Sequence, residues 1–181
     1  MNKKILLSSH TDLDAMGIII LTKYFNIDVE DIWMNNYTDF EDGSYPYNEL
    51  TNYDSIWYFD FTPDSKARQI IQENNIECII GDHHEGIKEE IELWNYDKKT
   101  YIFDNNISGT KIYYQFLLKN YSIISNNVAS EFVDLVSTYD LYDKASPIWT
   151  KAQDLNRLLY KTASYMKNGI DKYQVFIDGA M

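Results

Sequence analysis

Short apolar runs that stop abruptly on polar, chemistry-bearing residues recur along this chain, with longer amphipathic stretches between them. Lys4–Ser8, Asp31–Asn35, Ser55–Phe59, Glu77–Ile80 and Thr100–Phe103 are short and rich in aliphatic, β-branched and aromatic residues, and they read as strands. Asp14–Phe25, Pro63–Asn74 and Ser108–Tyr121 carry apolar residues at helical spacing, and Thr62-Pro63 reads as an N-cap followed by a first-turn proline. Strands alternating with helices predict an α/β fold with a five-stranded, mainly parallel, doubly wound sheet. Beyond Asn126 the pattern changes. Val128, Phe132, Leu135, Val136 and Tyr139 recur at helical spacing, and Trp149, Leu155, Leu158 and Leu159 suggest another helix, so the C-terminal third is predicted to be helical. A single domain is expected over residues 1–181, with an α/β core at 1–125 and a helical extension at 126–181. Asp39–Tyr53, rich in Tyr, Asp, Gly and Asn, reads as a mobile loop, a candidate cover for a site at the sheet edge.

With 181 residues and 45% hydrophobic content, the chain can bury one good core. Its 28 acidic residues against 16 basic ones give a formal charge of −12. Proteins that grip long nucleic acid neutralise phosphates with a basic stripe, and none is visible. Arg68 and Arg157 are the only arginines, so small substrates are expected and long nucleic acid is not. Met16–Leu21 is too short for a membrane span, and Ile5–Leu7 is too short for a signal-peptide core. Together with a single cysteine, Cys78, read as a buried inert thiol, these absences predict a cytoplasmic protein without membrane partners.

The chemistry lies where the predicted strands end. Ile76–Ile80 runs into Gly81-Asp82-His83-His84, Lys4–Ser8 into Ser9-His10-Thr11-Asp12-Leu13-Asp14, and Ser55–Phe59 into Asp60. In an open parallel sheet the carboxyl ends of all strands meet at one edge, so residues far apart in sequence converge there. Carboxylates packed that closely repel one another unless cations neutralise them. An imidazole and carboxylate shell suits Mn²⁺, Fe²⁺, Co²⁺ or Zn²⁺ better than Ca²⁺, and seven candidate ligands are generous for one ion. Taken singly, Asp60 or Asp140 would be a turn former or helix cap. The clustering argues otherwise, because all three histidines fall in these stretches. Ser108-Gly109-Thr110 could cradle a phosphate at a helix N-terminus, but plain capping is the preferred reading.

These stretches resemble the motifs of the DHH phosphoesterase family, named for the tripeptide that here is Asp82-His83-His84. Ser9–Asp14 is similar to the family's first motif, Asp60 to its isolated second-motif aspartate, and Tyr139-Asp140 to its fourth. Ser108–Lys111 and Leu155–Leu159 add to the likeness, which extends from Lys4 to Leu159. One departure is Ala15, where the family usually has glycine; Gly17 follows two positions later. The resemblance implies sheet order 2-1-3-4-5. It implies two divalent ions, Mn²⁺ above all with Co²⁺ or Mg²⁺ as alternatives: one held by His10, Asp12 and Asp60, the other by Asp14, Asp60, His83 and Asp140. It sets His84 at the substrate phosphate and makes Asp82 the residue that orients an imidazole.

The expected activity is metal-dependent hydrolysis of small phosphodiesters or phosphomonoesters: short oligonucleotides, cyclic dinucleotides or nucleotide bisphosphates. Three alternatives stay open at this point: a non-catalytic, metal-stabilised binding or assembly module, an inorganic pyrophosphatase, and an exonuclease subunit. Many members of the family carry a second, DHH-associated domain, whereas Tyr160–Met181 reads as a tyrosine-bearing helical tail. A minimal enzyme, a homo-oligomer or second subunit that supplies recognition, and a fragment are all compatible with that tail.

Overall fold

The five apolar runs form one parallel sheet in the computed structural model, which describes residues 3–164. Its strands are β1 (Ile5–Ser9), β2 (Asp31–Met34), β3 (Ser55–Phe59), β4 (Glu77–Asp82) and β5 (Lys99–Phe103), in the spatial order β2-β1-β3-β4-β5. This is the expected order, and every pairing is parallel. Chain direction reverses its walk between β1 and β3, which are neighbours in register from Ile5 opposite Ser55 to Ser9 opposite Phe59. A crevice at the carboxyl ends of the strands belongs at such a switch point.

Alternate residues along each strand feed two cores, as the pleat requires. Leu7, Trp57 and Phe59 face α1 (Leu13–Tyr24) and α5 (Gly109–Asn120), packing with Ile18, Leu21, Ile112, Tyr113, Phe116 and Leu117. Leu6, Ile56, Tyr58, Cys78 and Ile80 face the opposite layer, which contains α3 (Ser65–Glu73) and α4 (Lys88–Leu93). A third cluster lies outside the first: Leu13, Met16, Ile19 and Ile20 of α1 meet Val136 of α6 (Asn127–Asp140) and Leu159 of α7 (Trp149–Ser164). Helix α1 is therefore buried on two sides, which explains its almost uninterrupted apolar sequence. The predicted helical extension is present as α6 and α7. The part of that expectation covering residues 165–181 lies outside the described residues.

Two expectations are corrected. Asp39–Tyr53 is not a loop but most of α2 (Tyr37–Asp42) and a 3₁₀ helix at Tyr47–Asn52, and Tyr45, Tyr47, Leu50 and Tyr53 from it are buried. The polar residues that suggested a loop are local caps: Asn36 and Asp39 form a capping box, and Gly43 closes α2 at φ +78°. Helix α3 starts at Ser65 rather than Pro63, and its N-cap is Asp64, which accepts from the Ala67 N–H at 2.8 Å. Thr62 is buried and has a different partner, described below. Helix α4 had no counterpart among the predicted elements, being one short turn of mainly charged residues anchored by Ile91.

Candidate metal centre

The central strands deliver ligand-type side chains to one edge. Past β1 the chain turns through His10 and Asp12; Asp12 caps α1 by taking the Ala15 N–H at 3.1 Å, and its other oxygen lies 3.0 Å from His10 Nδ1. Ala15 is thus a donor to the cap, while close packing is supplied by Gly17, where a Cβ would stand 2.3 Å from Thr110 Oγ1. Asp14, in the first turn of α1, is buried and reaches the N-terminus of α5, accepting from the Gly109 N–H at 2.6 Å and the Thr110 N–H at 2.9 Å. Ser108 acts as the α5 N-cap. Those amides are therefore occupied by a carboxylate of the chain itself, and capping rather than a phosphate cradle describes this segment.

Asp60 follows β3 directly and sits at φ +55°, left-handed backbone that costs a non-glycine residue about 1–3 kcal/mol. Its N–H is fixed by Gly81 O at 3.0 Å. Gly109 faces it so closely that a Cβ there would lie 2.5 Å from Asp60 Cβ and 2.9 Å from Asp14 Oδ2. His83 and His84 follow β4, and Asp140 is the last residue of α6.

His83 Nε2 is the point of convergence, 3.3 Å from Asp60 Oδ1, 3.4 Å from Asp140 Oδ2 and 3.8 Å from Asp14 Oδ2. Three sets of donor atoms each fall within 4.8 Å of one another: His10, Asp12 and Asp60; Asp14, His83 and Asp140; Asp60, His83 and His84. Asp60 belongs to two of these sets. All the metal ligands anticipated from sequence are thus brought together, and His84 joins one ligand set as well as standing at the open rim, its side chain 54% exposed. Asp82 belongs to none of the sets. Its Oδ1 accepts from the His83 N–H at 2.7 Å and the His84 N–H at 2.9 Å and lies 2.8 Å from His84 Nδ1, while Oδ2 takes the Thr62 hydroxyl at 2.7 Å.

Three of the converging atoms, Asp60 Oδ2, His83 Nε2 and Asp140 Oδ2, are buried without a hydrogen-bond partner. Such groups are rare because each costs about 1–3 kcal/mol, and together they make a mixed oxygen and nitrogen donor set that fits a divalent cation. The electrostatics point the same way. Burial, reinforced by Asp14, Asp12, Asp140 and Asp82, pushes Asp60 well above the usual carboxyl range. Burial and the charges of Asp14 and Asp12 push Asp140 up to about 8. Asp14 is also raised by burial, its backbone donors notwithstanding. His83 is held below its usual value by burial and by His84, in the neutral form that ligates metal. Acidic and histidine groups are placed to hold a metal ion.

No family model matches the chain, and no curated protein matches it. Among solved structures, an uncharacterized protein from Helicobacter pylori superposes over 97% of this chain and 55% of its own length, with a TM-score of 0.77 at 21% identity. A pGpG-specific phosphodiesterase, PggH, from Vibrio cholerae aligns over 98% of this chain and 50% of its own length, with a TM-score of 0.46 at 14% identity. The chain spans about half the length of these two proteins. The first likeness shows the fold alone.

Sequence reasoning missed Thr62, whose place next to a proline suggested a helix cap, and Tyr37 at the start of α2. The Tyr37 ring lies 5.9 Å from that of His10 and 4.9 Å from that of Phe61. Nothing in the sequence marks Tyr37, because only the fold brings it to His10. Neither arginine points into the site: Arg68 pairs with Glu90 and Arg157 with Asp154.

Proposed function

We propose that the chain belongs to the DHH phosphoesterase family and hydrolyses small phosphate esters, short oligonucleotides or cyclic dinucleotides among them, with two divalent cations. The observation that carries this reading is the convergence of three buried donor atoms, Asp60 Oδ2, His83 Nε2 and Asp140 Oδ2, that have no hydrogen-bond partner, with Asp60 also in the ligand set of His10 and Asp12. His10, Asp12 and Asp60 would hold one ion; Asp14, Asp60, His83 and Asp140 would hold the other. Bound there, such ions supply an activated water and neutralise charge on the phosphoryl oxygens. His84 is the residue placed to meet a phosphate oxygen: it is half exposed, and its hydrogen bond to Asp82 raises its pKa and favours the cationic form. With Nδ1 engaged by Asp82, Nε2 is the nitrogen left for the substrate. The exposure of His84 favours a catalytic centre over a purely structural ion site, whose coordination is normally closed.

Size preference follows from charge. With both arginines paired elsewhere and a net charge of −12, additional nucleotides would meet an acidic surface. Two bound Mn²⁺ per chain after dialysis are expected, together with activity that chelation removes and Mn²⁺ restores. In a length series of fluorescent oligonucleotides, dinucleotides are expected to show higher kcat/KM than strands tens of nucleotides long. Full activity in chelator would overturn the two-metal reading, and faster turnover of long strands would overturn the small-substrate one.

A further inference from the structure

Asp82 is a fully buried carboxylate whose two oxygens are divided between two tasks. Oδ1 takes both backbone N–H groups of the His83-His84 turn and the His84 ring, whereas Oδ2 is bonded to the Thr62 hydroxyl. A carboxylate can rotate about its last bond, and a change in that rotation would draw Oδ1 off His84. Thr62 restrains it. Buried itself and fixed between the strained Asp60 and Pro63, its hydroxyl has a defined position from which to donate. Tyr37 closes the far side: its ring packs on Phe61 at 4.9 Å, and its hydroxyl lies against the backbone and side chain of Thr62. A continuous line of contacts therefore runs from α2 through Thr62 and Asp82 to His84.

We propose that Thr62 is a positioning residue for His84, acting through Asp82 to hold the imidazole with its Nδ1 proton directed at Oδ1 and its Nε2 free for substrate. The proposal rests on the reading of His84 as the phosphate-facing residue. Direct partners that orient a metal-site histidine typically change activity or affinity by about 10–100-fold when deleted, and Thr62, one hydrogen bond further out behind Asp82, is expected at the low end of that range. Thr62→Val removes the hydroxyl at nearly constant shape, and Thr62→Ser keeps it.

The test has two arms. In the first, ¹⁵N spectra of the histidine rings are recorded on the full chain loaded with diamagnetic Mg²⁺. With only three histidines present, His84 is assigned by its loss in His84→Gln. The wild type and Thr62→Ser are expected to show a His84 Nδ1 proton that exchanges slowly with solvent; Thr62→Val should show that proton exchanging fast, the signals of His10 and His83 being unmoved. In the second arm, a 5′-phosphorylated dinucleotide with Mn²⁺ should give a kcat about tenfold lower for Thr62→Val, with KM and metal content unchanged and kcat recovered in Thr62→Ser. An unchanged His84 spectrum in folded Thr62→Val, or equal loss in both variants, would overturn the proposal. If valine prevents folding, Thr62→Ala carries the same comparison. If the wild type turns over no phosphate ester, the hydrolase reading fails while the ring spectra still decide the role of Thr62.

Discussion

Asp60 concentrates the cost of the site in one residue. It is buried at a left-handed φ, its carboxyl is crowded by four other acids, and one of its oxygens has no partner. Asn tolerates the same backbone region better than most residues, so Asp60→Asn separates charge from conformation. The variant is expected to weaken divalent metal binding by more than about tenfold in titration calorimetry while raising the melting temperature of the metal-free protein, because a buried acid has been neutralised. A fall in both quantities would mean that the carboxylate stabilises the fold itself. His84→Gln should do the reverse, keeping metal but losing turnover by about 10²–10³, the usual effect of deleting one preorganised donor. The ligand-type residues from His10 to His84 were legible in sequence because their stretches follow apolar runs directly, where a parallel sheet gathers them, whereas Asp140, at the end of a helix, was reached only through the family resemblance. Thr62 was not legible, since a threonine before proline has a cheaper local explanation and its true partner lies 20 residues away.

At the level of elements, the sheet could be read because buried parallel strands need continuous apolar runs and the helices between them need amphipathic ones. The layer formed by α2 and the following 3₁₀ helix could not. Its burial comes from tyrosines, Leu50 and Phe40 interleaved with acids and asparagine, and that composition resembles a loop because the polar residues cap short helices locally. Aromatic packing supplies what periodicity does not show: Phe40 stacks on Phe61 at 5.3 Å, and the Tyr45 and Tyr58 hydroxyls meet at 2.9 Å in the core. Leu50 is fully buried in this layer. Leu50→Ala is therefore expected to lower stability by about 2–5 kcal/mol in urea unfolding, the range for a core leucine. A mobile loop would give a change within about 0.5 kcal/mol.

For the whole molecule, the clustered acidity couples stability to protons and metal. In the metal-free protein Asp140 is pushed up to about 8 by burial and its acidic neighbours, and Asp60 and Asp14 shift in the same direction. In the unfolded chain these carboxyls return to about 4. Between about pH 4 and 8 the native state binds more protons than the unfolded state, so its stability falls as pH rises. The contribution is fully present below about pH 4 and is lost as pH climbs through the folded-state values. Asp12 and Asp82 act oppositely, because against the push of burial their histidine and backbone donors hold them below the usual range, but that effect is confined to more acidic solution. A divalent cation replaces the protons, so its binding strengthens with pH and its stabilisation grows by mass action. Thermal unfolding at about pH 5.5 and about pH 8, with and without Mn²⁺, checks both signs. The metal-free melting temperature is expected to fall between the two, and the increment from Mn²⁺ to be larger at the higher pH. A flat metal-free profile with an equal increment at both would mean that the clustered carboxyls are already ionised without metal, and the electrostatic case for a cation at this sheet edge would be lost.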